Sequence, residues 1–150
     1  MTRRTFLAPA ALAAAALALP ASADPTDPWR QDELLQPSAL ADILRSAQKP
    51  PVIISVVFPV LYRQRHIAHA ELAGPTSKPE GIAALKQAVA SLPKNADIVI
   101  YCGCCPMVRC PNIRPAYQTL KELGFTNVRV LEIPTNLHTD WVEKGYPVES

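Results

Sequence analysis

No cysteine lies outside residues 102–110, where all four of the chain's cysteines are gathered. That excludes a disulfide joining distant elements, the staple on which many small exported domains rely. A bridge inside so short a span closes a tiny loop and constrains the unfolded chain little. A bond between the adjacent Cys104 and Cys105 would also be strained. The haem-attachment pattern Cys-x-x-Cys-His is missing. So are internal repeats and any linker long enough to divide the chain, which leaves one domain.

A surplus of positive charge is missing too, despite a formal net charge of +2. Thr2-Arg3-Arg4-Thr5-Phe6-Leu7 has the charged start and arginine pair of a twin-arginine export signal. An alanine- and leucine-rich stretch at 8–19 follows, short for a membrane span, and Ala21-Ser22-Ala23 is a small-residue cleavage site. Residues 1–23 therefore read as a signal peptide, with an ordinary secretory signal or an uncleaved anchor as the alternatives. Its removal takes away Arg3 and Arg4 and leaves 13 Lys+Arg against 13 Asp+Glu in 127 residues. A neutral mature chain has no basic stripe for nucleic acid or an anionic membrane surface. Its expected location is the periplasm or the exterior.

The mature chain alternates two periodicities. Residues 24–35 read as an extended lead-in. Ser38 is placed to cap a helix whose Leu40, Ile43, Leu44 and Ala47 recur at helical spacing, and Pro50-Pro51 ends it. Residues 52–58 form a continuous apolar run, as expected of a strand covered on both faces. A turn with a short helix follows at 59–66, then a brief strand near 70–73. The 81–92 segment carries Ile82, Leu85, Ala88, Val89 and Leu92 on one helical face. The apolar strand 97–101 feeds the cysteine run. A helix at 113–123 turns Tyr117, Leu120 and Leu123 inward and is capped by Gly124. Val128-Arg129-Val130-Leu131 is another strand, and Thr139 or Asp140 caps a last turn carrying Trp141. The pattern is that of an α/β fold with a parallel or mostly parallel sheet, helices on both sides.

Cys102 thus falls where a buried strand hands over to a helix, the place where open α/β sheets keep their chemistry. Turn N–H groups and the helix dipole there favour anions and push a cysteine toward thiolate. Arg109 and Arg114 are the cations nearest the thiols, suited to lowering a thiol pKa or holding an oxyanion. A solvated loop arginine and a first-turn helix arginine are the plain alternatives. His138 follows the last long strand on the side where the cysteine loop emerges. His66 reads as a structural histidine hydrogen-bonded near the sheet end.

Three segments of the chain resemble the rhodanese-like domain family. Val52-Ile53-Ile54-Ser55-Val56 with Leu61-Tyr62-Arg63-Gln64-Arg65-His66-Ile67 is similar to its first core strand and the "GHI" segment after it. Ile98-Val99-Ile100-Tyr101-Cys102 is similar to the strand that ends in its nucleophilic cysteine. Leu123-Gly124-Phe125-Thr126-Asn127-Val128, Trp141 and Gly145-Tyr146-Pro147-Val148 are similar to its closing strand and helix. The likeness spans 36–149 and implies a three-layer fold. It implies a sulfurtransferase in which Cys102 carries sulfane sulfur as a persulfide, passing it from a small donor to a thiol acceptor with no cofactor required. The chain departs from the family where Ser55 and Val57 replace an Asp and an Arg, and where Arg65 and His69 replace small residues. Pro134-Thr135-Asn136 replaces a Gly-Gly, and the loop from Cys102 to about Asn112 is long and rich in cysteine. Phosphatases of this fold need Cys-x5-Arg, whereas Cys102 and Arg109 are separated by six residues.

Other chemistries remain open for the loop. Cys104, Cys105 or Cys110 is available to resolve a persulfide on Cys102 as a disulfide, or to pair with it in plain thiol–disulfide exchange. Several of the four thiols, with His66, His69 or His138, could instead ligate Cu(I) or Zn. An inert disulfide loop is the remaining reading.

Overall fold

The computed structural model describes residues 27–150; the export-signal and cleavage-site readings at 1–23 fall outside it. Five short strands make one fully parallel sheet. In chain order they are β1 (Leu34–Leu35), β2 (Val52–Ser55), β4 (Glu71–Leu72), β5 (Ile98–Tyr101) and β6 (Val128–Leu131), arranged β1-β6-β5-β2-β4. β5 is central, with Ile98–Tyr101 in register against Val52–Ser55 and Ile98–Ile100 against Val128–Val130. A separate antiparallel ribbon pairs β3 (His66–Ile67) with β7 (Val148–Glu149).

Side chains along β5 alternate between two cores, as a strand buried on both faces requires. Ile98 and Ile100 join Ile54, Val56, Val128 and Val130 under helices α3 (Pro79–Ala88) and α4 (Ile113–Glu122), which supply Leu85, Ala116 and Leu120. Val99 and Tyr101 join Ile53, Leu131 and Trp141 under α1 (Pro37–Arg45), which supplies Leu40 and Ala41. The result is the three-layer α/β arrangement that the alternating pattern implies. A further short helix, α2 (Pro59–Gln64), leads into β3. Among the described residues no helix is long and apolar enough to cross a membrane.

Several boundaries differ from the sequence reading for local reasons. Residues 31–35, grouped there with the lead-in, form a 3-10 turn and the edge strand β1, which pairs with Val130 and Leu131. Trp29 and Glu33 upstream of it are buried, and Glu33 accepts hydrogen bonds from the Arg30 N–H and the Tyr117 hydroxyl. Ser38 is not the cap of α1: the helix opens one residue earlier on Pro37, whose fixed φ suits the first helical position. α3 likewise opens on Pro79 rather than near 81. The strand read over 52–58 ends at Ser55, because beyond Ala73, whose N–H bonds the Ser55 carbonyl, no neighbouring strand continues. The turn around Trp141 is a five-residue π-helix, His138–Val142, and Asn136 rather than Thr139 or Asp140 caps it. The Asn136 Oδ1 accepts the Thr139 N–H at 2.9 Å, while the Asp140 carboxylate accepts from Thr135 and Asn136 before it.

Leu120 is fully buried between α4 and the sheet. Leu120→Ala should lower unfolding stability by about 2–5 kcal/mol in denaturant melts, through lost burial and a cavity that the sheet cannot fill.

Candidate active site

Two parallel ladders aim the end of β5 at one place, and Cys102 is the first residue past it. The chain leaves through Gly103, whose φ of +72° is the left-handed conformation that glycine adopts without penalty. A Cβ there would come within 2.8 Å of the Leu137 Cβ, so the position has no room for a side chain. The Gly103 carbonyl accepts the Leu137 N–H at 3.0 Å, tying the cysteine loop to the segment after β6. A 3-10 turn at Met107–Arg109 then brings Cys110 back to the start of α4.

The loop folds its sulfurs together. Cys102 Sγ lies 3.2 Å from Cys104 Sγ, which in turn lies 3.2 Å from Cys105 Sγ. The Sγ atoms of Cys102, Cys104 and Cys110 all lie within 4.8 Å of one another, and all four cysteines are free thiols. Cys105 reaches Cys104 but stands outside this three-sulfur cluster. Cys102 and Cys110 are buried, while Cys104 and Cys105 are half-buried.

Asn112 locks the cluster from behind and is a site residue that sequence reasoning missed. It is completely buried. Its Nδ2 donates to Cys102 Sγ at 3.4 Å and its Oδ1 accepts the Ser77 N–H at 2.9 Å. The Thr76 hydroxyl donates to its carbonyl. An asparagine between a proline and a helix carries no sequence signal beyond that of an ordinary loop residue. Its burial depends on contacts 35 residues away.

The protons are not distributed as the strand-end position suggests. The Cys102 thiol donates to Cys104 and Cys110 and is buried, so its pKa is pushed far above the ordinary thiol range. Cys104, receiving that hydrogen bond, is lowered to about 6. Cys110 is lowered to about 7, first by Cys102 and then by the N–H groups of Asn112 and Ile113. Burial pushes Cys105 up to about 12. The start of α4 therefore supports the Cys110 sulfur rather than Cys102. Cys102 holds its proton more tightly than Cys104 or Cys110 does.

In front of the cluster opens a cavity of about 430 Å³. Ser55, Val57, Tyr101, Cys102 and Cys104 line it, with Arg65 and His138 also contributing. Ser55 and Val57 thus reach the site without the charges that the family resemblance leads one to expect there. Tyr101 is fixed through its hydroxyl, which accepts the Ile67 N–H at 3.1 Å. His138, anticipated on this side, is exposed and lies 3.2 Å from Glu143 Oε1. Arg65 is the second residue missed. It counted only as a departure near the "GHI" segment, yet α2 carries it to the cavity.

The two arginines expected to bind substrate lie elsewhere. Arg109 is exposed on the 3-10 turn and is not among the cavity's walls. Arg114 pairs with Asp27, stacks over Trp29 at 5.5 Å, and donates to the Met107 and Cys110 carbonyls at 3.2 and 3.4 Å. It braces the loop's backbone from behind. His66 is structural as read: it is buried, its Nδ1 sits 2.9 Å from the Tyr62 carbonyl, and its ring stacks on Tyr62.

The rhodanese-like domain family matches residues 37–133, and the chain belongs to that family. Among solved structures it is similar to the Alr3790 protein from Anabaena sp., with 22% identity over 77% of this chain and 91% of that one and a TM-score of 0.60. The BH2092 protein from Bacillus halodurans gives 19% identity over 77% and 75%, also at a TM-score of 0.60. The thiosulfate sulfurtransferase from Pseudomonas aeruginosa gives 25% identity over 78% of this chain and 19% of that one, at a TM-score of 0.57. No curated protein sequence matches the chain. The fold is thus of the sulfurtransferase type, with a cysteine cluster at its strand end.

Because Cys104 holds the lowered pKa, iodoacetamide labelling of the reduced protein should begin as pH rises through about 6, on Cys104 rather than Cys102. Cys102→Ala removes the hydrogen bond that depresses Cys104 and should move that midpoint up toward the ordinary thiol value of about 8.5. Peptide mapping across a pH series reads both effects.

Proposed function

We propose that the protein is an exported sulfurtransferase that carries sulfane sulfur as a persulfide on Cys102. The observation that carries this reading is the position of Cys102, held at the end of the central strand on the wall of a cavity, in a chain of the rhodanese-like family. The twin-arginine-like leader supports export to the periplasm or exterior, with a small sulfur donor and a thiol acceptor as partners. The neutral mature chain argues against nucleic acid.

Transfer runs in two balanced steps. Cys102 first passes its proton to a neighbouring sulfur, for which Cys104 at 3.2 Å is placed. The thiolate attacks the outer sulfur of a donor such as thiosulfate. The donor's S–S bond breaks, sulfite departs with the bonding pair, and Cys102 holds the sulfur as a persulfide anion. Arg65 at the cavity wall attracts the anionic donor, and His138 lines the same cavity. The amide of Asn112 steadies the charge on the Cys102 sulfur. A thiol acceptor then takes the outer sulfur and returns Cys102 to the thiolate.

The three-sulfur cluster favours a second reading. Zn–S bonds of about 2.3 Å hold ligand sulfurs roughly 4 Å apart, a spacing that the Cys102, Cys104 and Cys110 sulfurs already approach. Soft thiolates fit Cu(I) equally well, and the protein would then act as a metal-binding module.

Sulfite release from thiosulfate with a thiol acceptor should fall by about 10³-fold or more in Cys102→Ser, to the uncatalysed rate. An unchanged rate would remove Cys102 from the chemistry. Copper or zinc that purifies stoichiometrically with the wild type and is lost in a Cys102/Cys104/Cys110 triple variant would support the metal reading, and equal metal in both would end it.

A further inference from the structure

We propose that Cys104 is a second sulfur carrier, taking the sulfane sulfur from Cys102 and presenting it to the thiol acceptor. This rests on the reading of Cys102 as a persulfide site and extends it from one carrier to a two-step relay.

Geometry singles out Cys104 from the other thiols. It touches Cys102 at 3.2 Å and also lines the cavity. Cys110 is buried on the far side of the cluster, and Cys105 is not among the walls of the 430 Å³ cavity. Exposure rises along the path, since Cys102 is 4% accessible and Cys104 is half-buried. An S–S bond is about 2.05 Å long, so in-line attack on the outer sulfur of a Cys102 persulfide needs the two cysteine sulfurs more than about 4 Å apart. Cys104 reaches that position by turning outward from its 3.2 Å contact into the cavity it already lines. A small donor fits the cavity beside Cys102, whereas a bulky thiol reaches Cys104 more readily.

The relay step needs no oxidant. The Cys104 sulfur attacks the outer sulfur of the Cys102 persulfide. A new S–S bond forms on Cys104, the bond to Cys102 breaks, and its electron pair stays on the Cys102 sulfur. The Cys104 proton crosses the S···S contact to Cys102. Cys102 ends as a thiol and Cys104 as the persulfide anion, with no net change in oxidation state.

Brief incubation of the protein with thiosulfate, trapping by alkylation at successive times, and tandem mass spectrometry of the cysteine peptide test the relay. The extra sulfur should appear first on Cys102 and then on Cys104, and Cys102→Ser should carry none on Cys104. Cys104→Ser is loaded on Cys102 beforehand by prolonged exposure to thiosulfate, so that its lost role as proton acceptor does not enter. It should deliver that sulfur to glutathione in a single turnover about tenfold more slowly or worse, because the positioned sulfur nucleophile is gone. Sulfur confined to Cys102 at all times in the wild type would overturn the relay while leaving Cys102 as a carrier. Delivery by Cys104→Ser at the wild-type rate would overturn it as well. Loading of Cys104 in Cys102→Ser would reverse its order and refute it. Sulfur on no cysteine would remove the persulfide reading itself. The wild-type time course stands without any variant, so a misfolded substitution does not decide the result.

Discussion

The parallel pairing of β5 with β2 on one side and β6 on the other is the constraint on which the site depends. A central strand with both edges paired and both faces buried has no freedom to shift, because a slip of one residue would exchange its two cores. Its last residue therefore delivers Cys102 to a fixed point. From there the chain must turn sharply at Gly103, gather three more cysteines and return to α4. Two buried or braced side chains hold that return in place: Asn112 from the loop's end and Arg114 from the first turn of the helix.

Much of this was legible in the sequence because it is locally encoded. The apolar runs at 52–58 and 97–101 read as strands covered on both faces, the periodicity at 113–123 marked α4, and the cysteine run declared its own importance. What escaped notice is set by contacts distant in the chain. β1 is two residues long and exists only because Val130 and Leu131 lie beside it. Asn112 and Arg65 look like ordinary loop and helix-end residues until the fold brings Ser77 to one and the cavity to the other. Arg114, expected to bind substrate or lower a thiol pKa, donates instead to the loop's carbonyls, and its partners Asp27 and Trp29 turn it into a brace. Helix starts moved for a simpler reason, since Pro37 and Pro79 supply the first-turn φ that a capping side chain would otherwise help to set.

The cluster changes what a strand-end cysteine is expected to do. A lone cysteine at a helix start would take its thiolate character from backbone N–H groups. Here those groups serve Cys110, and Cys102 gives its hydrogen bond away to its neighbours. Cys102 must give up its proton before it can attack, and Cys104 is the sulfur in contact with it. The same closeness makes the sulfurs a soft donor set, so the proposed sulfur transfer and a bound metal would draw on one group of atoms. With neutral Ser55 and Val57 at the cavity wall, Arg65 is the guanidinium among its lining residues, placed differently from the family's usual charged pair.

The intact mass of the mature protein, taken under non-reducing conditions after exposure to thiosulfate and together with its metal content, bears most directly on the central claim. A carrier of sulfane sulfur gains the mass of one sulfur, loses it to reductant, and gains none once Cys102 is serine. Stoichiometric copper or zinc on reduced thiols, with no added sulfur, would contradict that account and make the cluster a metal centre.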